Sequence, residues 1–423
     1  MSGVAFEAGA AGKNVTEWQY GLASVKPRWN VSGTYMQVLP RFISTDANGG
    51  DPHEFLPDYL PDDGVLLTDV FLKGYQWPFD TRKALSGSSV IDLIVYTETK
   101  VKGRRVFLDF RENPLGERFR FDCLSPEAYE YLDRAGALMG KPIDRLRHMN
   151  APAIEFYRGR GVDLETEMLE IALCSQHNNG GIAIDAWWQS TVPGLFVVGE
   201  AAASHGVYRP GGSALNAGQV GGERAARFIS KQPVLPIDAQ RAAGEAKARI
   251  LALLKLPGVA LAGNGNLNDE YLSSIAAMSR SGAAVRDSQA IRELYGEVRG
   301  KLAGFAAQVR IASEKELPLY YRYRDILLCQ AVYLYAMMDY ADKGGKSRGA
   351  ALYTAPKGEK ALDCLPDSCR LALDDGALRD SVQEVRWREG DIACEWRAVR
   401  PIPEVDDFFE NVWREYRESE NVY

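Results

Sequence analysis

His177 to Ile229 reads HNNGGIAIDAWWQSTVPGLFVVGEAAASHGVYRPGGSALNAGQVGGERAARFI. Inside it, Leu195 to Val198 is a short continuous apolar run that ends at Gly199-Glu200, the pattern of a buried parallel strand in an α/β sheet. After a glycine-rich loop, the stretch from Ser213 to Ser230 predicts a helix whose packing face carries Leu215, Gly218, Gly222, Ala225 and Ile229. Small residues on that face would let the helix lie close to a sheet. A carboxylate at the C-terminal end of a parallel strand sits where α/β proteins bind ligands, and it can accept hydrogen bonds from ribose-type hydroxyls. Glu200 is therefore a candidate ligand-binding residue, although it could equally cap the loop or pair with Arg209. Gly211 and Gly212 allow the backbone to approach a flat ring system, and a helix starting near Ser213 would aim unpaired N–H groups and a positive dipole end outward. Arg209 offers a forked donor suited to a carboxylate. His205 could polarise a substrate carbonyl or cap a loop, and His177 could serve as a ligand or as a turn residue beside Asn178-Asn179-Gly180-Gly181.

Working outward, residues 2–11 are rich in Gly and Ala and predict a short helix with no strand before it. Between Trp29 and Phe110, β-branched and aromatic runs broken by Gly and Pro predict a mixed, strand-bearing region. Residues 124–148 predict a helix, with Tyr129, Leu132, Ala135 and Leu138 spaced for one face. From residue 237 to about 342 the pattern is mostly helical, and the charged and aromatic residues of the last segment predict a strand pair and a closing helix. Gly263-Asn264-Gly265 follows no strand pattern and reads as a loop.

The 423 residues are 46% hydrophobic and 25% charged, ordinary for a globular chain with two or three packed domains. A net charge of −7 without a basic tract speaks against electrostatic capture of nucleic acid. Neither a secretory signal nor an apolar run long enough to span a bilayer is visible. Six scattered cysteines fit a reducing compartment, so a cytoplasmic location is the expectation. Only Cys364 and Cys369 lie close together, with no histidine near them in sequence, and no metal site is expected.

The ordered elements His177-Asn178-Asn179-Gly180-Gly181-Ile182, Gly199-Glu200 and His205-Gly206-Val207-Tyr208-Arg209-Pro210-Gly211-Gly212-Ser213-Ala214-Leu215 resemble those of the fumarate reductase/succinate dehydrogenase flavoprotein family, which includes the L-aspartate oxidases. The resemblance extends to Gly3–Ala10, to the stretch around Met278–Asp287 and to Lys346–Ala350. It implies an FAD-dependent oxidoreductase that transfers hydride between flavin N5 and a small, carboxylate-bearing substrate. Arg209, His177 and His205 would be the catalytic residues. Glu200, Gly211, Gly212, Ser213, Ala214 and Leu215 would hold FAD, the backbone of Ala214 and Leu215 taking one edge of the isoalloxazine.

The implied fold class is α/β plus α: an incomplete, Rossmann-like FAD-binding domain with an α+β capping domain and a C-terminal helical domain. Its expected divisions are residues 1–25 and 161–235 for the FAD-binding part, 26–160 for the cap, 236–350 for the helical domain and 351–423 for an extension. The family's opening strand with Gly-x-Gly-x-x-Gly is not found, so the chain is expected to begin within the fold. A chain supplying the N-terminal half, or a homo-oligomer, is then an expected partner. The family phrase Gln-Phe-His-Pro-Thr corresponds to Glu17–Ser24, with Leu22 where the histidine would stand, and the family's proton-shuttling arginine has only Arg82 in roughly the right region. Succinate and fumarate are thereby doubtful substrates. A noncatalytic binding or scaffold protein is the competing expectation.

Overall fold

The computed structural model describes every residue except 1, 234–237, 256–260, 262–263, 400, 402–403, 405–407 and 420–423. Its largest sheet has six strands in the order Trp29–Asn30, Trp18–Ser24, Leu169–Asn178, Arg105–Asp109, Arg41–Thr45 and His53–Glu54. Every neighbouring pair is antiparallel. Trp18–Ser24 is buried at every position after the first, as a central strand covered on both faces must be. Leu22 faces Leu173 and Gln19 faces His177, with a register shift between Gln19 and Tyr20. The sheet takes strands from both sides of residues 25 and 160.

Helices fill the space around this sheet. Val90–Tyr96 is buried through its first six residues and packs on Leu169–Asn178. Asp63–Leu72 starts at Asp62, whose carboxylate accepts from the Val65 N–H at 2.9 Å, which satisfies one of the orphan donors of the first turn. The single helix expected over residues 124–148 is instead two, Pro126–Arg134 and Pro142–Arg158. Gly136 and Gly140, both at positive φ (64° and 51°), turn the chain between them where a helix cannot continue. Arg145, fully buried, ties this turn to the rest by donating to the carbonyls of Val38, Met139 and Gly140 and to Asn113 Oδ1.

The expected helical region is present as Ala239–Lys255, Leu267–Ser281, Ser288–Ala303, Phe305–Gln308 and Leu317–Asp342. Leu317–Asp342 is the hub, burying Tyr320, Tyr323, Leu327, Leu334 and Tyr340 in a shared core. The opening helix, Ser2–Glu7, packs on this hub. Gly3 allows the approach, because a Cβ there would lie 2.2 Å from Asp325 Oδ1, and Glu7 pairs with Arg324 at 2.6 Å.

A second sheet joins distant parts of the chain in the order Asp391–Ala398, Ser381–Arg388, Gly12–Lys13 and Gly181–Ile182. Its first two strands are the expected C-terminal pair, and Phe408–Ser419 is the closing helix. Gly180 and Gly181 pass between two other backbone segments. A Cβ at 180 would sit 1.8 Å from the Asn14 carbonyl oxygen, and one at 181 would sit 2.3 Å from that of Ala201.

Two local expectations are corrected. Leu195–Val198 is not a buried parallel strand: it makes one isolated bridge, Gln189 with Phe196, and Val198 is 42% exposed. A parallel strand needs a parallel hydrogen-bonded neighbour along its length, whereas this run pairs antiparallel with residues 188–190, Ser190 N–H donating to the Leu195 carbonyl at 2.8 Å and Val197 N–H to the Trp188 carbonyl at 2.9 Å. The helix after it spans Ser213–Lys231, but its buried positions are Gly221 and Ala225, while Leu215 and Ile229 are 80% and 50% exposed. The Trp188 indole explains the rotation, because it lies against Gly221, where a Cβ would be 2.4 Å from Nε1. Gly263 of the Gly-Asn-Gly loop lies outside the described residues.

Lys73 and Asp92 form an ion pair with both side chains at 0% exposure, joining two helices of the main core. Lys73→Met should cost about 3–5 kcal/mol, because it strands the Asp92 carboxylate in the interior. The double variant Lys73→Met/Asp92→Leu should recover most of that loss in urea unfolding. Equal stability of the single and double variants would contradict the pairing.

Candidate functional site

The site is assembled on Thr16–Tyr20. The Glu17 carbonyl accepts from the N–H groups of Asn179 (3.0 Å) and Gly180 (3.2 Å), which brings the end of Leu169–Asn178 against this segment. The glycine-rich loop is then stitched on. Ala203 N–H donates to the Ile182 carbonyl at 2.9 Å, His205 N–H to the Asn179 carbonyl at 3.3 Å, and Asn179 Nδ2 to the Val207 carbonyl at 3.0 Å. Arg209 emerges from the loop and donates through both Nε (3.0 Å) and Nη2 (2.6 Å) to Gln19 Oε1. That shared acceptor fixes the plane of the guanidinium and leaves its Nη1 edge with only a long 3.4 Å contact to the Pro210 carbonyl.

His177 and His205 meet edge to face, with ring centroids 5.4 Å apart. His177 Nδ1 lies 3.1 Å from Asn179 Oδ1. Burial pushes the His177 imidazole below its ordinary value of 6.5 and Arg209 adds to the shift, against the opposing pull of Glu200 and Asn179. His205 is lowered by burial first, then by His177 and Arg209. Both shifts favour the neutral imidazole beside the guanidinium. Burial also lowers Arg209 from its ordinary value, and Glu200 opposes this.

Beside Arg209 lies a small cleft of about 90 Å³ that opens to solvent. Trp18, Trp77, Phe79 and Tyr208 supply aromatic wall, and Arg209, Lys83 and Asp80 bring charge to it. The exposed lining is somewhat more polar than apolar, so ring faces and convergent polar groups share the space offered to a small molecule. Arg82 places its guanidinium 4.0 Å from the centroid of the Tyr208 ring and pairs with Asp80 at 2.8 Å. Behind the cavity, Arg348 donates twice to Glu17 Oε1, at 3.0 and 2.7 Å, with both side chains nearly buried.

Of the residues singled out by sequence, Arg209 lines this cavity, whereas His177, His205, Glu200 and Gly211–Leu215 do not. Glu200 is exposed, and its Oε1 accepts from the Asn178 backbone N–H at 2.9 Å. Gly211 and Gly212 are exposed with open space around them, and Gly212 adopts φ 77° at the start of Ser213–Lys231. No side chain caps that helix start, and Ser213 Oγ donates to the Pro210 carbonyl at 2.7 Å. The open glycines and uncapped helix start fit the flat, electron-rich edge of a flavin. Sequence reasoning missed Gln19, Trp77, Asn179, Tyr208 and Lys83 as parts of the site. Asn179 and Tyr208 lie inside the decisive motif, but nothing in the pattern around Gln19 announces that it holds Arg209. Leu22, which stands where the family resemblance places a histidine, is fully buried. Among the described residues no group of three or more His, Cys, Asp or Glu side chains could hold a metal ion; Cys364 is exposed and Cys369 buried.

No protein-family model matches the chain. It is 24% identical over 286 residues to an L-aspartate oxidase of Caulobacter vibrioides, a match covering 67% of this chain and 46% of that protein. It is 42% identical over 131 residues to one chain of the CoM/CoB fumarate reductase of Methanothermobacter marburgensis, covering 29% of this chain and 24% of that one. Among solved structures, a quinol fumarate reductase chain of E. coli superposes with a TM-score of 0.58 at 16% identity, covering 96% of this chain and 62% of that one. These comparisons agree with the flavoprotein resemblance carried by His177–Leu215. The matches span less than half the length of these curated relatives.

The lowered histidine values give a direct test. An imidazole depressed in the folded state contributes stability above its unfolded value near 6.5, and that stability is lost as pH falls through the folded value. In an NMR titration of the folded chain both rings should protonate below pH 6.5, and Glu200→Gln should move His177 lower still. An inflection above 6.5 for either ring would contradict the arrangement.

Proposed function

We propose that this chain carries the substrate-side part of an FAD-dependent oxidoreductase acting on a small, carboxylate-bearing substrate. The observation that carries the reading is the placement of Arg209. Gln19 orients its guanidinium at the cavity, and only two residues further on come the exposed glycines and open helix start that suit a flavin edge. When bound, FAD would supply hydride exchange at N5.

The chain's own residues do the rest. Arg209 neutralises and orients the substrate carboxylate, using the N–H groups that Gln19 leaves free. His177 and His205 flank the guanidinium just outside the cavity lining and, with the neutral form favoured, add no competing charge there. The helix start at Ser213, with Gly211, Gly212, Ala214 and Leu215, would hold one edge of the flavin ring and favour negative charge there. Glu200, in this reading, fixes Asn178 and through it the His177 turn, and a ribityl contact would have to use its second carboxylate oxygen. Arg82, paired to Asp80 and stacked on Tyr208, keeps its charge and holds the Tyr208 ring at the cavity wall.

In this reading residues 26–160 would form the cap and 236–350 the helical domain, with 1–25 and 161–235 in the FAD-binding part and 351–423 as an extension. A nucleotide-binding portion, from a longer form of the chain or from a partner or second copy, would complete the cofactor site. The proposed setting is cytoplasmic; among the described residues no helix is long and apolar enough to cross a membrane.

The experiment is a spectral titration of the purified protein with FAD. Bound flavin bands that bleach on chemical reduction are the expected result, and Arg209→Gln should lower carboxylate affinity by about 10–100-fold while leaving those bands unchanged. A colourless protein that takes up no added FAD, alone or with its co-purifying partner, would favour a noncatalytic binding or scaffold protein.

A further inference from the structure

We propose that the cavity beside Arg209 selects an aryl- or heteroaryl-bearing monocarboxylate over a small aliphatic dicarboxylate. This rests on the reading of Arg209 as the carboxylate-binding group and specifies what the remainder of the site accepts.

The aromatic wall is built by a backbone constraint. At Gly21 a Cβ would lie 2.5 Å from Trp77 Nε1 and 2.6 Å from Cε2, so the indole rests directly on the strand at a position where any side chain would displace it. The Trp77 N–H is spent on the Leu22 carbonyl at 3.3 Å, and the Trp18 N–H on the Val15 carbonyl at 3.0 Å. Both indoles therefore offer ring carbon to the cavity rather than a donor. Phe79 is buried in the same wall, with its N–H donated to the Tyr20 carbonyl at 2.9 Å. Tyr208 accepts from the Gly349 N–H at 3.3 Å and is stacked by Arg82, which holds its ring in place across the loop. Such a box favours a flat apolar group through buried area and ring-to-ring contact.

The polar groups suit one carboxylate better than two. Arg209 has Nε and Nη2 committed to Gln19, so its remaining donors serve a single carboxylate. A second carboxylate would have to turn to the wall that carries Lys83. That wall also carries Asp80, 8% exposed and paired with Arg82 at 2.8 Å, so Arg82 is already committed and leaves the Lys83 ammonium to meet a second carboxylate alone. Leu22, fully buried, offers nothing polar from the strand between.

Calorimetric titration of the purified protein with 3-phenylpropanoate and with succinate tests the assignment, using ligands that require no turnover. 3-Phenylpropanoate should bind at least about tenfold more tightly than succinate, the scale expected for burying one ring. Trp77→Ala should remove most of that preference by weakening 3-phenylpropanoate far more than succinate, while Trp77→Phe should retain it. Gly21→Ala should weaken 3-phenylpropanoate by displacing the indole, with circular dichroism and melting curves confirming that each variant folds. Succinate binding as tightly as the aryl acid, or Trp77→Ala leaving the preference intact, would overturn the proposal. So would failure of both acids to bind a protein that takes up FAD, which leaves the flavoenzyme reading standing. Arg209→Gln without effect on 3-phenylpropanoate would instead remove the carboxylate role given to Arg209.

Discussion

Three arginines from distant parts of the chain grip one short segment, and the site depends on that grip. Arg286, fully buried, donates to the Thr16 carbonyl at 2.9 Å and to Tyr353 Oη at 3.1 Å. Arg348 is clamped onto the Glu17 carboxylate, and Arg209 onto the Gln19 amide oxygen. Each guanidinium reaches fixed acceptors on or near residues 16–20, although the buried Arg286 Nη2 finds no hydrogen-bond partner among the described residues. The helical region, the segment before the C-terminal sheet and the glycine-rich loop are thereby referred to the same few peptide units. Moving that segment would disturb all three.

The same segment separates two environments. Gln19 points its amide oxygen to Arg209 beside the cavity, while Tyr20, 3% exposed, lies near Arg286 on the buried side. The register shift between these residues, where Gln19 faces His177 and Tyr20 faces Ser175, is the local irregularity that accompanies the change of surroundings. Bulges recur where a sheet must aim a side chain at a site, because regular alternation alone cannot choose its direction. Here the extra residue is Gln176, whose side-chain Nε2 donates back across the strand pair to the Gly21 carbonyl at 2.9 Å and so holds the irregularity closed.

Much of this is legible in the sequence alone. The helical stretch after residue 237 follows from its pattern, the opening helix from Gly and Ala content and the C-terminal strand pair with its closing helix from alternating charged and aromatic residues, while the flavoprotein resemblance follows from the ordered motifs around His177, Glu200, Arg209 and the glycines. The misreadings have a common physical cause. Pattern assigns the apolar residues at 195–198 and on Ser213–Lys231 to a buried sheet face, but their burial depends on which segments pack against them. In the folded chain Trp188 and Trp187 supply the packing, the latter stacked on Phe228 with centroids 5.7 Å apart, so the helix turns a different face inward. The helix expected across 124–148 fails for a simpler reason: two glycines at positive φ outweigh a good apolar stripe.

Gln19 shows where sequence reading stops. Its amide is uncharged, it belongs to a central strand, and nothing about the residue type marks it as part of a site. It matters because its oxygen lets Arg209 commit two donors without losing its charge. A carboxylate at the same position would neutralise the guanidinium and compete with an anionic ligand, whereas an apolar side chain would leave the guanidinium free to swing. A neutral acceptor orients the cation and preserves its attraction for an anion. This division of labour needs the register of Trp18–Ser24 against Leu169–Asn178, the tether of Asn179 to Glu17, and the Asn179 contact with Val207 that returns Arg209 to the strand. The first two of these join residues far apart in the chain, and so the decisive neighbour of Arg209 is visible only once the chain is folded.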